Sequence, residues 1–285
     1  MPRFAVPALF VLLWSTGFIV ARLVAPHIEP LTFLALRYSL TIPSLALIAL
    51  AAGAAWPRGA RAWVTAIGVG MLMQGVYLGG VFWSVRHGLP AGIAALIVGL
   101  QPLATAALAG PVLGERVSLQ RWAGIVLGML GVALVLLPGL RGGAGFPLIA
   151  VLVCVCAMAA ITFGTIIQKR SGSALDLWPN MIAQFCGGFA LTLPAAWLTE
   201  TMRVDLGAQT LAGLFWAVFG LSVGANALLL LLIRRGAVAG VAALLYLVPP
   251  VAALMAYLMF GEALAPLQWA GMAVAAAGVA IASRG

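Results

Sequence analysis

Residues 91–102 read AGIAALIVGLQP, and residues 239–250 read AGVAALLYLVPP. The two stretches align at a constant offset of 148. Further along, GERVSLQRWAGIVLGMLGVAL (Gly114 to Leu134) aligns with GEALAPLQWAGMAVAAAGVAI (Gly261 to Ile281) at an offset of 147, so a single deleted residue reconciles the two. At that offset Gly17 meets Gly164 and Arg37 meets Gln184. The chain therefore reads as two homologous halves, residues 1–140 and 146–285.

Composition fixes the solvent in which these halves sit. Of the 285 residues 64% are hydrophobic and 7% charged, with a mean hydropathy of +1.16, which leaves too little charge to cover a water-soluble core. The net charge of +9 does not mark a nucleic-acid binder, because the fifteen Lys and Arg are scattered singly and in pairs between apolar runs. Cys154, Cys156 and Cys186 all lie inside apolar runs and form no C-x-x-C, so they read as small core residues. The first apolar run begins at Phe4 and is long enough to span, so it is expected to stay in the mature protein.

A spanning helix needs about 20 mostly apolar residues. Ten such runs are expected, over 4–24, 31–52, 62–84, 89–110, 119–138, 146–168, 177–198, 210–233, 237–259 and 265–283. The loops between them are too short for a soluble domain. Loops on the side of the termini carry Arg3, Arg58, Arg61, Arg116, Arg121, Lys169, Arg170, Arg234, Arg235 and Arg284, against Arg22, Arg86, Arg141 and Arg203 opposite. That bias predicts cytoplasmic termini and a multi-pass protein of the inner (plasma) membrane.

Five spans per half is an odd number, so the second half must cross in the opposite sense. The expected fold class is an all-α polytopic membrane protein of ten helices in two inverted five-helix repeats. Inverted repeats are a transporter architecture, with substrate bound near the midplane between the halves.

The same residues carry a resemblance. LLWSTGF (Leu12 to Phe18) and PLTFLALRY (Pro30 to Tyr38), with the paired GERVSLQRWAG and GEALAPLQWAG, resemble the drug/metabolite transporter superfamily and its ten-helix EamA-type exporters. The likeness covers the whole chain, and within the superfamily it is greatest to the aromatic amino-acid exporters. It implies a secondary, non-ATP exporter of small neutral or zwitterionic metabolites, amino acids including aromatic ones, with a cavity between spans 1, 3, 4, 6, 8 and 9. A broad-specificity drug or metabolite efflux carrier is the alternative. The expected partners are the bilayer and the substrate, with a monomer as the working unit and no cofactor, metal or nucleic acid.

Polar and aromatic residues deep in the spans are the candidates for lining that cavity, since in lipid they must face the bundle interior. They are Trp14, Thr16, Gln74, Tyr77, Gln101, Phe163, Asn226 and Tyr246, with Ser15 and Thr162 as further buried hydroxyls. Trp14 is favoured because the resemblance places its motif in the pore, and Phe163 because it adjoins Gly164. Gln74 and Tyr77 are three apart and share a helix face. Pro102, Pro249 and Pro250 fall at matching places in spans 4 and 9, where proline frees a carbonyl and bends the helix, either as static kinks or as gating hinges. Glu115 and Glu262 follow these two spans and suit the N-terminus of the short span after them.

Missing groups narrow the chemistry. None of the six Asp and Glu lies in mid-span, so no residue is in sight for proton or sodium coupling, and facilitated export or exchange is the simpler mechanism. Clustered core cations that would clamp a phosphorylated substrate are absent too. GLSVG (Gly220 to Gly224) matches the G-x-S-x-G of hydrolases, but both histidines, His27 and His87, fall in loops. Ser222 is expected to be a packing residue, the chain not to be an enzyme. A channel is a third class that the residues leave open.

Arg37 is the one basic residue in the apolar run 31–52. It lies about 10 Å in from Pro30 at 1.5 Å per residue, with its side chain pointing back toward the outer surface. It is therefore expected to snorkel part of the way outward and to anchor structure, ahead of the alternative of binding substrate, with Gln184 as its uncharged counterpart.

Overall fold

The structure is a computed structural model that describes residues 5–56, 59–113, 118–140, 146–171, 176–226, 228, 245 and 247–282. The described chain is helical, in ten spans. They are α1 (Ala5–Val24), α2 (Pro30–Ala51), α3 (Ala60–Arg86), α4 in two pieces (Ala91–Gly99 and Gln101–Leu113) and α5 (Leu119–Leu140). The second half follows as α6 (Leu148–Ser171), α7 (Leu177–Thr199), α8 (Ala208–Ala225), α9 (Val248–Phe260) and α10 (Pro266–Ala282). The expected spans are met to within a few residues where they are described, which for the eighth is its earlier part and for the ninth its later part. Five helices (α2, α3, α6, α7 and α8) are long and apolar enough to cross a membrane by themselves, and the others are shorter apolar helices.

Helix breaks follow local chemistry. Pro102 stands in the first turn of the second piece of α4, and without an N–H it cannot bond back to Val98, so the helix turns at Leu100 before resuming. Pro249 and Pro250 open α9 in the same way after a turn at Leu247. The expected bends are therefore true interruptions, one in each half.

Apolar surface does not drive helices together in lipid, so close packing of small residues has to. The pairing of α5 with α10 shows this. A Cβ on Gly124 would lie 2.6 Å from Gly278 O, and one on Gly278 would lie 2.7 Å from Gly124 O. Gly131 and Gly271 repeat the relation at 2.7 Å each way. The close packing of Gly124 and Gly131 is thus within the molecule. Since Gly124 aligns with Gly271 and Gly131 with Gly278, each contact occurs twice with the halves exchanged.

Other contacts obey the same exchange. Helix α1 packs on α8 and α9, as α6 packs on α3 and α4, while α2 meets α7 and α4 meets α9. At one end of the molecule the connections interlock. Glu200 accepts from the Leu31 and Thr32 N–H groups and the Thr32 hydroxyl, while Glu29 accepts from the Thr201 N–H and hydroxyl. Glu200 thus satisfies N–H groups in the first turn of α2 that have no partner within their helix, and Glu29 holds the connection after α7. An antiparallel bridge joins Ile28 to Val204 beside them.

Candidate functional site

Two helices widen at matching positions. In α3 the backbone opens into π turns over Met71–Tyr77, and in α8 over Trp216–Ala225. The offset of 147 carries 71–77 onto 218–224, inside the second segment. Widened turns leave carbonyls poorly matched to the helical ladder, and they recur at functional sites. Here side chains take up the slack at equivalent atoms. The Tyr38 hydroxyl donates to Gln74 O at 2.5 Å, and Asn226 Nδ2 donates to Leu221 O at 3.3 Å and Ser222 O at 2.9 Å. Gln74 and Leu221 are counterparts in the two halves.

The α8 turn holds the most polar cluster of the interior. Ser222 is fully buried and donates its hydroxyl to Ala217 O at 3.0 Å, five residues back. Arg37 on α2 donates to Ser222 Oγ through Nε at 3.2 Å and Nη2 at 3.1 Å, and the Thr41 hydroxyl sits 3.4 Å from the same oxygen. The Tyr38 and Tyr77 phenols lie within electrostatic range of the guanidinium. Arg37 is 6% exposed, so the snorkelling expected of it does not occur. Residue 222, one turn of polar chemistry on a neighbouring helix, holds the head inside instead of letting it run to the surface.

The two interrupted helices meet. A Cβ on Gly99 would lie 2.9 Å from Pro249 Cγ, and one on Gly92 would lie 2.8 Å from Ala253 Cα. Leu96, Gly99, Leu100, Pro249, Pro250 and Met272 enclose a crevice with about 10 Å³ of free space, closed to anything larger than water. Each break is held by the first helix of a half. Ser15 on α1 donates to Val11 O at 2.8 Å and reaches Val248 O at 3.4 Å, while Gln101 Nε2 donates to Thr165 Oγ1 on α6 at 3.0 Å.

A cleft of about 360 Å³ opens at the end formed by the α1–α2, α3–α4 and α9–α10 connections. The Arg22–Glu262 ion pair crosses it at 2.6 Å, and Glu262 Oε2 also accepts the Ala91 N–H at 3.0 Å. Glu262 therefore caps the start of α4, in the opposite half, and not the span that follows it. Gln268 Oε1 takes that local role by accepting the Ala265 N–H at 2.9 Å. Arg86 donates to Ala25 O and Ile28 O and ties the same connections together.

The remaining expected residues divide. Trp14 is half-buried against Phe10, with ring centroids 5.3 Å apart. Thr16 accepts from Trp216 Nε1 at 2.8 Å across the α1–α8 contact. Gln74 and Tyr77 are half-buried on α3 near Arg37, and Gln101 and Pro102 stand at the break of α4. Phe163 is 48% exposed, with no described contact joining it to the rest. Cys156 is exposed rather than a core residue. Tyr246 and Glu115 lie outside the described residues. Thr41 and Tyr38 are the members of the cluster that sequence reading passed over, and Ser222 was expected only to pack. Their one available signal was the repeat offset, which sets Ser222 opposite Gly75.

The sequence model of the EamA-like transporter family matches residues 5–137 and again 148–284, and the chain belongs to that family. It is a multi-pass membrane protein of the drug/metabolite transporter superfamily. Among named relatives, the chain is 26% identical to the "Probable amino-acid metabolite efflux pump" of Salmonella typhimurium, over 96% of this chain and 92% of that one. It is 29% identical to the "Probable terminal-alkyne amino-acid exporter" of Streptantibioticus cattleyicolor, over 86% and 82%. It is 24% identical to the "Uncharacterized inner membrane transporter YedA" of Escherichia coli, over 100% and 92%. One solved crystal structure superposes with a TM-score of 0.68 over 97% of this chain and 94% of that one at 21% identity, and shares the fold.

Proposed function

We propose that the chain is a secondary exporter of the inner membrane that moves amino acids and similar neutral or zwitterionic metabolites, aromatic ones included, by alternating access. The halves 1–140 and 146–285 act as inverted repeats with cytoplasmic termini, and the pathway runs between α1, α3, α4, α6, α8 and α9. The observation that carries this is the pairing of interruptions: α4 and α9 break at matched prolines and pack there, Gly99 on Pro249. Two contacting breaks let either half tilt against the other without unwinding a continuous helix. The efflux roles in the names of full-length relatives support the same reading.

Trp14, Gln74, Tyr77 and Gln101 are the proposed substrate-facing residues, with Pro102, Pro249 and Pro250 as hinges. Transport is uncoupled from protons, because none of the six carboxylates falls in the middle of an apolar run of the sequence. The test is uptake of a labelled metabolite panel into proteoliposomes with and without a proton gradient. Amino-acid uptake indifferent to the gradient is expected. Acceleration by the gradient would contradict the uncoupled mechanism.

An enzymatic reading finds no support at Ser222. Its oxygen is shared among Ala217 O, Arg37 and Thr41, and no histidine or carboxylate is among its described hydrogen-bond partners.

A further inference from the structure

We infer that Arg37 is a specificity residue of the transport pathway: the free edge of its guanidinium receives the carboxylate of the substrate. The inference rests on the exporter reading above and names the charge its substrate must carry.

A guanidinium has five N–H donors arranged as a planar fork. The described hydrogen bonds of Arg37 use one edge, Nε and Nη2, both on Ser222 Oγ. The second N–H of Nη2 and one N–H of Nη1 point in parallel along the end edge, and the other N–H of Nη1 lies on the third side, with no described acceptor for any of them. The end edge has the spacing for two parallel bonds to a carboxylate. Arg37 as a whole is 6% exposed, so its charge is held inside the bundle.

Charge accounting leads the same way. The Arg22–Glu262 ion pair and the His27–Asp205 contact lie near one end of the molecule, and neither involves Arg37. A cation held inside the bundle without a carboxylate is an electrostatic deficit that an anionic group can relieve. Packing alone does not require this charge, because Gln184, at the equivalent place in α7, is buried and neutral. Only one half carries the cation, so an amino acid would bind in one orientation with its carboxylate toward the α2–α8 contact. Ser222 is the positioning residue: it fixes one edge of the fork and aims the other.

The experiment compares phenylalanine, phenylalaninamide and phenethylamine, which share the ring and amine and differ at the carboxylate. Each competes with labelled phenylalanine on the full chain in lipid nanodiscs. The wild type is expected to favour the acid over both analogues by at least about tenfold, as befits hydrogen bonds to a charged group. Arg37→Gln is expected to bring that ratio to about one. Retained discrimination in a folded Arg37→Gln overturns the inference and leaves the exporter reading standing. Thermal stabilisation of the wild type by each compound gives a readout independent of any variant. Equal stabilisation by acid and amide also overturns it. A wild type that neither binds nor moves any amino acid in a wider panel overturns the exporter reading itself.

Discussion

Tyr38 of α2 packs on Phe185 of α7, with ring centroids 5.5 Å apart. The two residues are counterparts at the repeat offset of 147. A residue that touches its own counterpart lies beside the axis relating the halves, so this ring pair marks the centre of the bundle. The Tyr38 hydroxyl also holds Gln74 O in the widened turn of α3. Tyr38→Phe keeps the ring contact and strands that carbonyl, at a cost of about 1–3 kcal/mol. A lowered unfolding midpoint in detergent checks it.

The contact of Gly99 with Pro249 predicts a mechanical failure. A side chain at 99 would press on the proline ring at 2.9 Å, and overpacking of this kind costs about 1–3 kcal/mol. Gly99→Val is expected to assemble but to slow transport by about ten- to a hundredfold, if movement requires the two breaks to slide. Flux per folded molecule measures it.

The Arg22–Glu262 pair joins α1 to the α9–α10 connection and, through Ala91, to α4. The pair itself is part-exposed and contributes up to about 1 kcal/mol. The cap on the Ala91 N–H adds about 1 kcal/mol more. Glu262→Ala is expected to favour the state open where these elements meet. A cysteine at position 263 should then react faster with an impermeant thiol reagent, and added salt should produce a weaker version of the same change.

Small residues at the α5–α10 contact predict the largest loss of stability. Gly278→Leu forces a side chain into Gly124 O, which is backbone and cannot step aside. It is expected to abolish monodisperse protein. Gly53→Ala meets no neighbour and bears only the strain of a φ of +61°, about 1–2 kcal/mol. Size-exclusion profiles of the two variants separate packing from backbone strain.

The outline of the fold was legible because lipid imposes it: runs of about 20 apolar residues have to be helices, and the 147–148 offset exposed the duplication. Pro102 and Pro250 announced the breaks for the same local reason. The Arg37 cluster was hidden, because its partner is 185 residues away on another span and a serine in an apolar helix carries no sign of what it will meet. Arg37 was read by the distance to the surface, and its inward bond to Ser222 proved the stronger constraint. Widened turns have no sequence period of their own, so those in α3 and α8 emerged only from the backbone. Glu262 was correctly read as suited to a helix N-terminus, but which helix depends on packing that no local pattern encodes.

Counterflow is the most direct test of alternating access. Proteoliposomes loaded with unlabelled phenylalanine are diluted into trace labelled phenylalanine, and the inward movement of label is followed over time. The account predicts a transient accumulation of label above equilibrium, saturable and lost in Gly99→Val. Flux that rises linearly with concentration, without accumulation from preloading, would show a channel and contradict it.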